Sequence, residues 1–336
     1  MRLLLACCLA VSLSAAERTI HVFMYSEYID PEIPLFFERE TGIAVDIQVY
    51  EAQEEMVAKL RTGGSAQFDV IVASNTVIPQ LVALKLIRTL DQTKLPNSVH
   101  IGKDFRGKAF DPTNAYTWPY LWGTTGVMYD AAKAKPPTAP MSWAWILDPA
   151  QQAGPVQLMD EMRAMLGLAL VANGTDINSR DKEEIRAAAE KLITAKSSPK
   201  CLGFGGGVDG KNKVEAGEAL AAVVYSGDAA RSVAENANLR FEIPAEGGEL
   251  WIDNLAITAE APDVEGAHLF VNFLLSPEIA ARNANYIQYP TPNEAALPLI
   301  TGEDRATPVI YPDAATMSRL TVATDLDKDN KVYETF

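Results

Sequence analysis

Phe68-Asp69-Val70-Ile71-Val72-Ala73-Ser74-Asn75-Thr76 is the stretch whose reading decides the fold. Its first six residues form a short run of β type, which reads as a buried strand. Buried strands alternating with helices belong to parallel sheets covered on both faces. The flanking chain repeats the unit. Before it, the pattern predicts strands over 20–24 and 44–49. Helices are predicted over 31–41, closed by Gly42, and over 51–62, ended by Gly63-Gly64. After it, a helix is predicted over 76–85. In such sheets ligands sit outside the carboxyl ends of the strands. Tyr25, Ser26, Glu27 and Tyr28 follow the first strand, and Ser74, Asn75 and Thr76 follow the third. Both groups should therefore face one cleft.

Residues 112–140 are rich in proline and aromatics and read as a crossing and loop region. A second α/β pattern follows, with strands over 155–159, 219–225 and 239–243. Its helices are predicted over 161–172, 181–195 and 226–236. The glycine-rich stretch 203–210 has neither the GxxxxGK[ST] nor the GxGxxG spacing, so it reads as a flexible loop. A helix near 264–275 and the turn Tyr289-Pro290-Thr291-Pro292-Asn293 complete the pattern.

Chemistry concentrates in Gly247-Gly248-Glu249-Leu250-Trp251-Ile252-Asp253-Asn254-Leu255-Ala256-Ile257. Alternation there sets Leu250 and Ile252 against Trp251 and Asp253, so the indole and the carboxylate share a face. An aromatic plate beside a carboxylate suits an alkylammonium ion, which gains a cation–π face and a charge partner. The competing reading is a core tryptophan beside a strand-end aspartate.

A length of 336 residues suits two medium domains. The formal net charge of -15 argues against nucleic-acid binding, because no basic stripe exists to neutralise phosphates. A negative field instead steers cations inward. At the N-terminus Arg2, an apolar run and Ser14-Ala15-Ala16 read as a signal peptide over residues 1–16, with cleavage after Ala16 and lipidation ranked second. Removing it leaves Cys201 as the sole cysteine, which excludes an intrachain disulfide. His21, His100 and His268 show no metal spacing, and no Gly-x-Ser-x-Gly elbow occurs, so an enzyme reading lacks its nucleophile and base. The acidic run 325–329 lacks the bidentate glutamate of a calcium loop. No cofactor or metal is expected.

Over nearly its whole length beyond the leader, the chain resembles the periplasmic polyamine-binding proteins of ABC importers, the spermidine/putrescine family. The resemblance rests on Tyr25-Ser26-Glu27-Tyr28, Glu40-Thr41-Gly42-Ile43, Tyr120-Leu121-Trp122-Gly123, residues 247–257, Asn272-Phe273-Leu274-Leu275 and Tyr289-Pro290-Thr291-Pro292-Asn293. It implies an α/β, two-domain periplasmic-binding-protein fold of type II-like organisation. Each domain would be a mixed, mostly parallel sheet flanked by helices, with hinge crossings between the two. The first domain would comprise residues 17–124 and 254–297, the second 125–253 and 298–336. The ligand would be a diamine or triamine, the partner a membrane ABC permease, the compartment the periplasm and the state a monomer.

Residue by residue, the resemblance places Trp251 and Asp253 at the aromatic plate and amine-binding carboxylate. Tyr25, Tyr28, Tyr225 and Tyr289 become cleft aromatics, and Ser26, Glu27 and Thr76 polar wall positions. Asp228 matches a carboxylate of putrescine-type members, which favours a putrescine-like diamine. Glu161 stays acidic, whereas Ala164 falls where a ligand glutamate is usual. Asp228 and Glu161 also read as ordinary acids at helix starts. Two other readings stay open: a binding protein for another cationic or amine-containing solute, and a ligand sensor.

Overall fold

The computed structural model describes residues 18–136 and 139–324. The expected leader and the acidic run 325–329 lie outside the described residues. The first half of the chain alternates β1 (Thr19–Tyr25), α1 (Glu32–Thr41), β2 (Ala44–Tyr50), α2 (Gln53–Arg61), β3 (Val70–Ser74) and α3 (Ile78–Ala83). Then come β4 (Thr117–Asp130), α4 (Ala144–Leu147), β5 (Val156–Met159), α5 (Met162–Ala172) and α6 (Lys182–Lys196). β6 (Cys201–Gly205), α7 (Gly207–Ala216), β7 (Ala221–Tyr225), α8 (Ser226–Glu235) and β8 (Leu239–Glu242) follow. The chain continues through β9 (Gly248–Ile257), α9 (Val264–Leu274), α10 (Pro277–Ile287) and β10 (Leu320–Val322).

Strand order is β2-β1-β3-β9-β4-β7-β5-β6, with β10 beside β9 and β8 beside β4. β1 pairs in parallel with β2 and β3, and β5 in parallel with β6 and β7. The two parallel sets are joined by β9 and β4, which run antiparallel to each other. Residues 117–124 of β4 pair with β9, and residues 125–130 pair with β7 and β8. One strand thus crosses from one set to the other. The α/β class with mixed, mostly parallel sheets and strand crossings is as expected.

Three readings need correction. Residues 112–140 are not mainly loop, because they contain β4, whose fourteen residues are all buried. A strand covered on both faces shows no alternation, and Pro119 masked it further; the pairing with β9 shifts register between Pro119 and Leu121. The glycine-rich stretch 203–210 is no flexible loop either: it ends β6 and opens α7. β6 is an edge strand and tolerates glycine there. Finally, α10 was not anticipated, although Ser276-Pro277 supplies a helix start with proline in the first turn.

Each parallel set carries its own apolar packing. Around β1 and β3 the core includes Ile20, Val22, Phe37, Val70, Val72 and Phe270. Around β5 and β7 it includes Trp143, Trp145, Leu158, Leu168 and Val223. Trp143 and Trp145 are buried packing residues, and Trp143 donates to the Gly247 carbonyl at 2.8 Å.

Candidate functional site

The carboxyl ends of β1, β3, β5 and β7 converge on β9, and a cavity of about 280 Å³ lies where they meet. All eleven expected site residues line it. Tyr25 ends β1, and Ser26, Glu27 and Tyr28 form the turn behind it. Thr76 follows β3, Glu161 follows β5, and Tyr225 ends β7 with Asp228 in the first turn of α8. Trp251 and Asp253 project from β9, and Tyr289 from the turn after α10. β9 is buried along nearly its whole length, so its inner face can present charge only to this cavity.

Asp253 is the electrostatic centre. It stands opposite Ser74 of β3 and Leu121 of β4, and only 5% of it is exposed. Its Oδ2 accepts a hydrogen bond from the Tyr28 hydroxyl at 2.5 Å. Tyr28 is itself held from behind. Its carbonyl accepts from Tyr120 Oη at 3.0 Å, and Asn283 Nδ2 donates to that hydroxyl at 2.8 Å. Burial pushes the Asp253 carboxyl up to about 7, the Tyr28 hydrogen bond pulls it back, and the charge of Glu249 pushes it further up. Glu161 is half-buried and its side chain makes no capping bond, although it is the N-cap of α5. Burial, then the charges of Glu54, Glu249 and Asp160, push it up to about 8. Both acids are desolvated and have no basic side chain paired with them among the described residues.

Asp228 differs. Burial raises its carboxyl, but Arg231 offsets this, donating to Oδ1 at 2.9 Å. The same guanidinium reaches Glu27 at 3.2 Å and so ties α8 to the turn after β1. Asp228 therefore arrives with a countercharge.

Aromatic rings connect these acids. Tyr25 and Tyr28 meet at 5.4 Å, Tyr28 and Tyr289 at 5.6 Å, Tyr289 and Trp251 at 5.5 Å, and Trp251 and Tyr225 at 5.7 Å. All four contacts are edge-on or tilted, so the rings wrap a volume instead of stacking into a column. Two glycines set this arrangement. A Cβ on Gly123 would stand 2.2 Å from the Trp251 ring, and one on Gly227 2.3 Å from the Tyr289 ring. Gly227→Ala should displace Tyr289, lowering ligand affinity about tenfold by loss of one ring contact worth roughly 1 kcal/mol or more. Isothermal calorimetry with a near-ultraviolet circular dichroism spectrum checks this; unchanged affinity with an altered spectrum would count against a ligand role for Tyr289.

Several lining residues escaped the sequence reading. Glu249 shares the alternation of Trp251 and Asp253, two residues further back, so its signal was present. Arg231 stands three residues after Asp228 on α8, a spacing that announces an ion pair. Gln53, at the start of α2, bridges Tyr50 Oη and the Ser74 amide, a contact no local pattern reveals.

A model of the bacterial extracellular solute-binding protein family matches residues 36–308. The chain belongs to that family. It is 35% identical to the spermidine/putrescine-binding periplasmic protein of Escherichia coli (strain K12), across 99% of this chain and 96% of that one. It is 32% identical to a putrescine/agmatine-binding protein of Pseudomonas aeruginosa, across 91% and 87% of the two chains. A solved structure of the spermidine/putrescine ABC transporter substrate-binding protein from Streptococcus pneumoniae aligns with a TM-score of 0.81 and 30% identity. That alignment spans 95% of this chain and 98% of the other. The family resemblance read from the sequence is thereby shown.

Proposed function

We propose that the protein captures a polyamine, a putrescine-like diamine foremost, in this cavity and delivers it to a membrane ABC permease from the periplasm. The observation that carries the reading is Asp253: a buried carboxylate, hydrogen-bonded by one phenol, at the end of an aromatic enclosure. An ammonium ion seated there gains a charge partner at low dielectric and ring faces around its methylenes. Each buried methylene adds about 0.8 kcal/mol. An anionic or neutral ligand would leave Asp253 and Glu161 desolvated and uncompensated. The eleven lining residues named from the sequence would be the ligand contacts.

In this reading the chain forms two lobes, residues 17–124 with 254–297 and residues 125–253 with 298–336. They hinge along β4 and β9, the strands that join the two parallel sets. Ligand bridging Tyr28 and Tyr289 of the first lobe and Asp253 and Glu161 of the second draws the lobes together, and the closed form is what the permease recognises. The protein acts as a monomer and needs no covalent chemistry.

The test is calorimetry and thermal unfolding with putrescine, cadaverine, agmatine, spermidine and spermine. Ligand at a hundredfold excess over Kd should add about 2.7 kcal/mol of stability. Melting curves indifferent to every one of these amines at millimolar concentration would sink the proposal.

A further inference from the structure

We infer that Glu249 is a ligand-binding carboxylate, seating an ammonium group at the far side of Trp251 from Asp253 and so extending the site to longer amines. The inference rests on the polyamine reading above. Glu249, Trp251 and Asp253 occupy alternate positions of β9 and line the same cavity, so the indole stands between two acids on one strand face. Their four-residue separation is roughly 13 Å between Cα atoms in an extended strand. A short diamine held at Asp253 does not cover that distance, whereas a triamine laid along the indole does.

The surroundings of Glu249 are those of an acid awaiting a cation. Only 5% of it is exposed. Its Oε2 accepts from Thr125 Oγ1 at 3.1 Å, and its other oxygen has no hydrogen-bond partner among the described residues. Arg163 is near enough to temper its charge, yet that guanidinium donates to Asn178 Oδ1 at 2.6 Å and to the Thr324 carbonyl at 3.3 Å. Burial accordingly raises the Glu249 carboxyl. Asp228 illustrates the contrast: its bond to Arg231 already satisfies the charge. A purely structural Glu249 would need only an acceptor for Thr125, and glutamine provides one.

Calorimetry on the whole protein, wild type and Glu249→Gln, with spermidine and putrescine tests this. Spermidine affinity should fall by at least about tenfold, as expected when one member of a desolvated charge pair is neutralised. Putrescine affinity should change by less than about threefold. Thr125→Val keeps the carboxylate and removes its hydroxyl partner, and should leave the ratio of the two affinities within about threefold of wild type. Parallel losses for both amines, no loss for either, or a Thr125→Val shift as large as that of Glu249→Gln would overturn the assignment. So would a wild type that binds putrescine alone. A wild type that binds neither amine overturns the polyamine reading as well, which separates the two failures.

Discussion

Asp253→Asn should lower polyamine affinity by roughly thirtyfold to a few thousandfold and leave the empty protein as stable as wild type, or more so. Removing one charge from a desolvated, hydrogen-bonded ion pair costs about 2–5 kcal/mol, which sets that range. Asparagine keeps an oxygen to accept from Tyr28, so the geometry of the site survives. The stability side follows from the direction of the carboxyl shift. Burial lifts Asp253 from an ordinary 3.8 to about 7, so ionising it in the folded chain costs free energy that the unfolded chain does not incur. That destabilisation develops as pH rises from about 4 to 7 and is complete above. Asparagine abolishes it, and the melting temperature of the empty variant at pH 8 should match or exceed that of wild type. Calorimetry with putrescine and thermal unfolding at pH 8 read both effects. An empty variant that is badly destabilised while affinity persists would make Asp253 a structural residue.

Much of this site was legible because its groups obey local rules. Tyr25 through Tyr28 and Ser74 through Thr76 follow strands of an alternating β-α pattern, and the strand ends of such a sheet define its cleft. Trp251 and Asp253 share a face by period two. Where the rules are non-local the sequence was mute. β4 is buried at every position, so it presents neither alternation nor a helical stripe. The ion pair of Arg231 with Glu27 joins residues 204 apart in the chain, and no spacing announces it. Nothing local marks Gly123 and Gly227 until the rings of Trp251 and Tyr289 are seen against them. Their role is steric and depends on a partner supplied from elsewhere in the fold. Asp228 shows a subtler limit. Its place in the cavity and its i, i+3 pairing with Arg231 were legible, but the burial that raises its carboxyl was not.

Polyamine affinity should also rise steeply with pH between 6 and 8, by at least about tenfold. Putrescine does not titrate there, because its two terminal alkylammonium groups resemble lysine, which loses its proton only near 10.4. The site does. With Asp253 pushed up to about 7 and Glu161 to about 8, the empty cavity holds protons around neutrality. An ammonium ion binds the ionised carboxylates and must expel those protons. Each carboxylate still protonated costs up to about tenfold in affinity per pH unit. The empty protein moves the other way. Both carboxyls lie above their ordinary values of 3.8 and 4.5, so its stability falls as pH rises from there and levels off only once both are ionised, above about 7 and about 8. The gain in melting temperature on adding putrescine should therefore grow with pH. Calorimetry at pH 6, 7 and 8, in two buffers of different ionisation enthalpy, counts the protons released. Affinity that is flat across this range, or tighter at pH 6, would show that these acids are not what the ligand engages. The same measurement on Asp253→Asn separates the two groups: the step near 7 should vanish, and the remaining dependence should follow Glu161 alone.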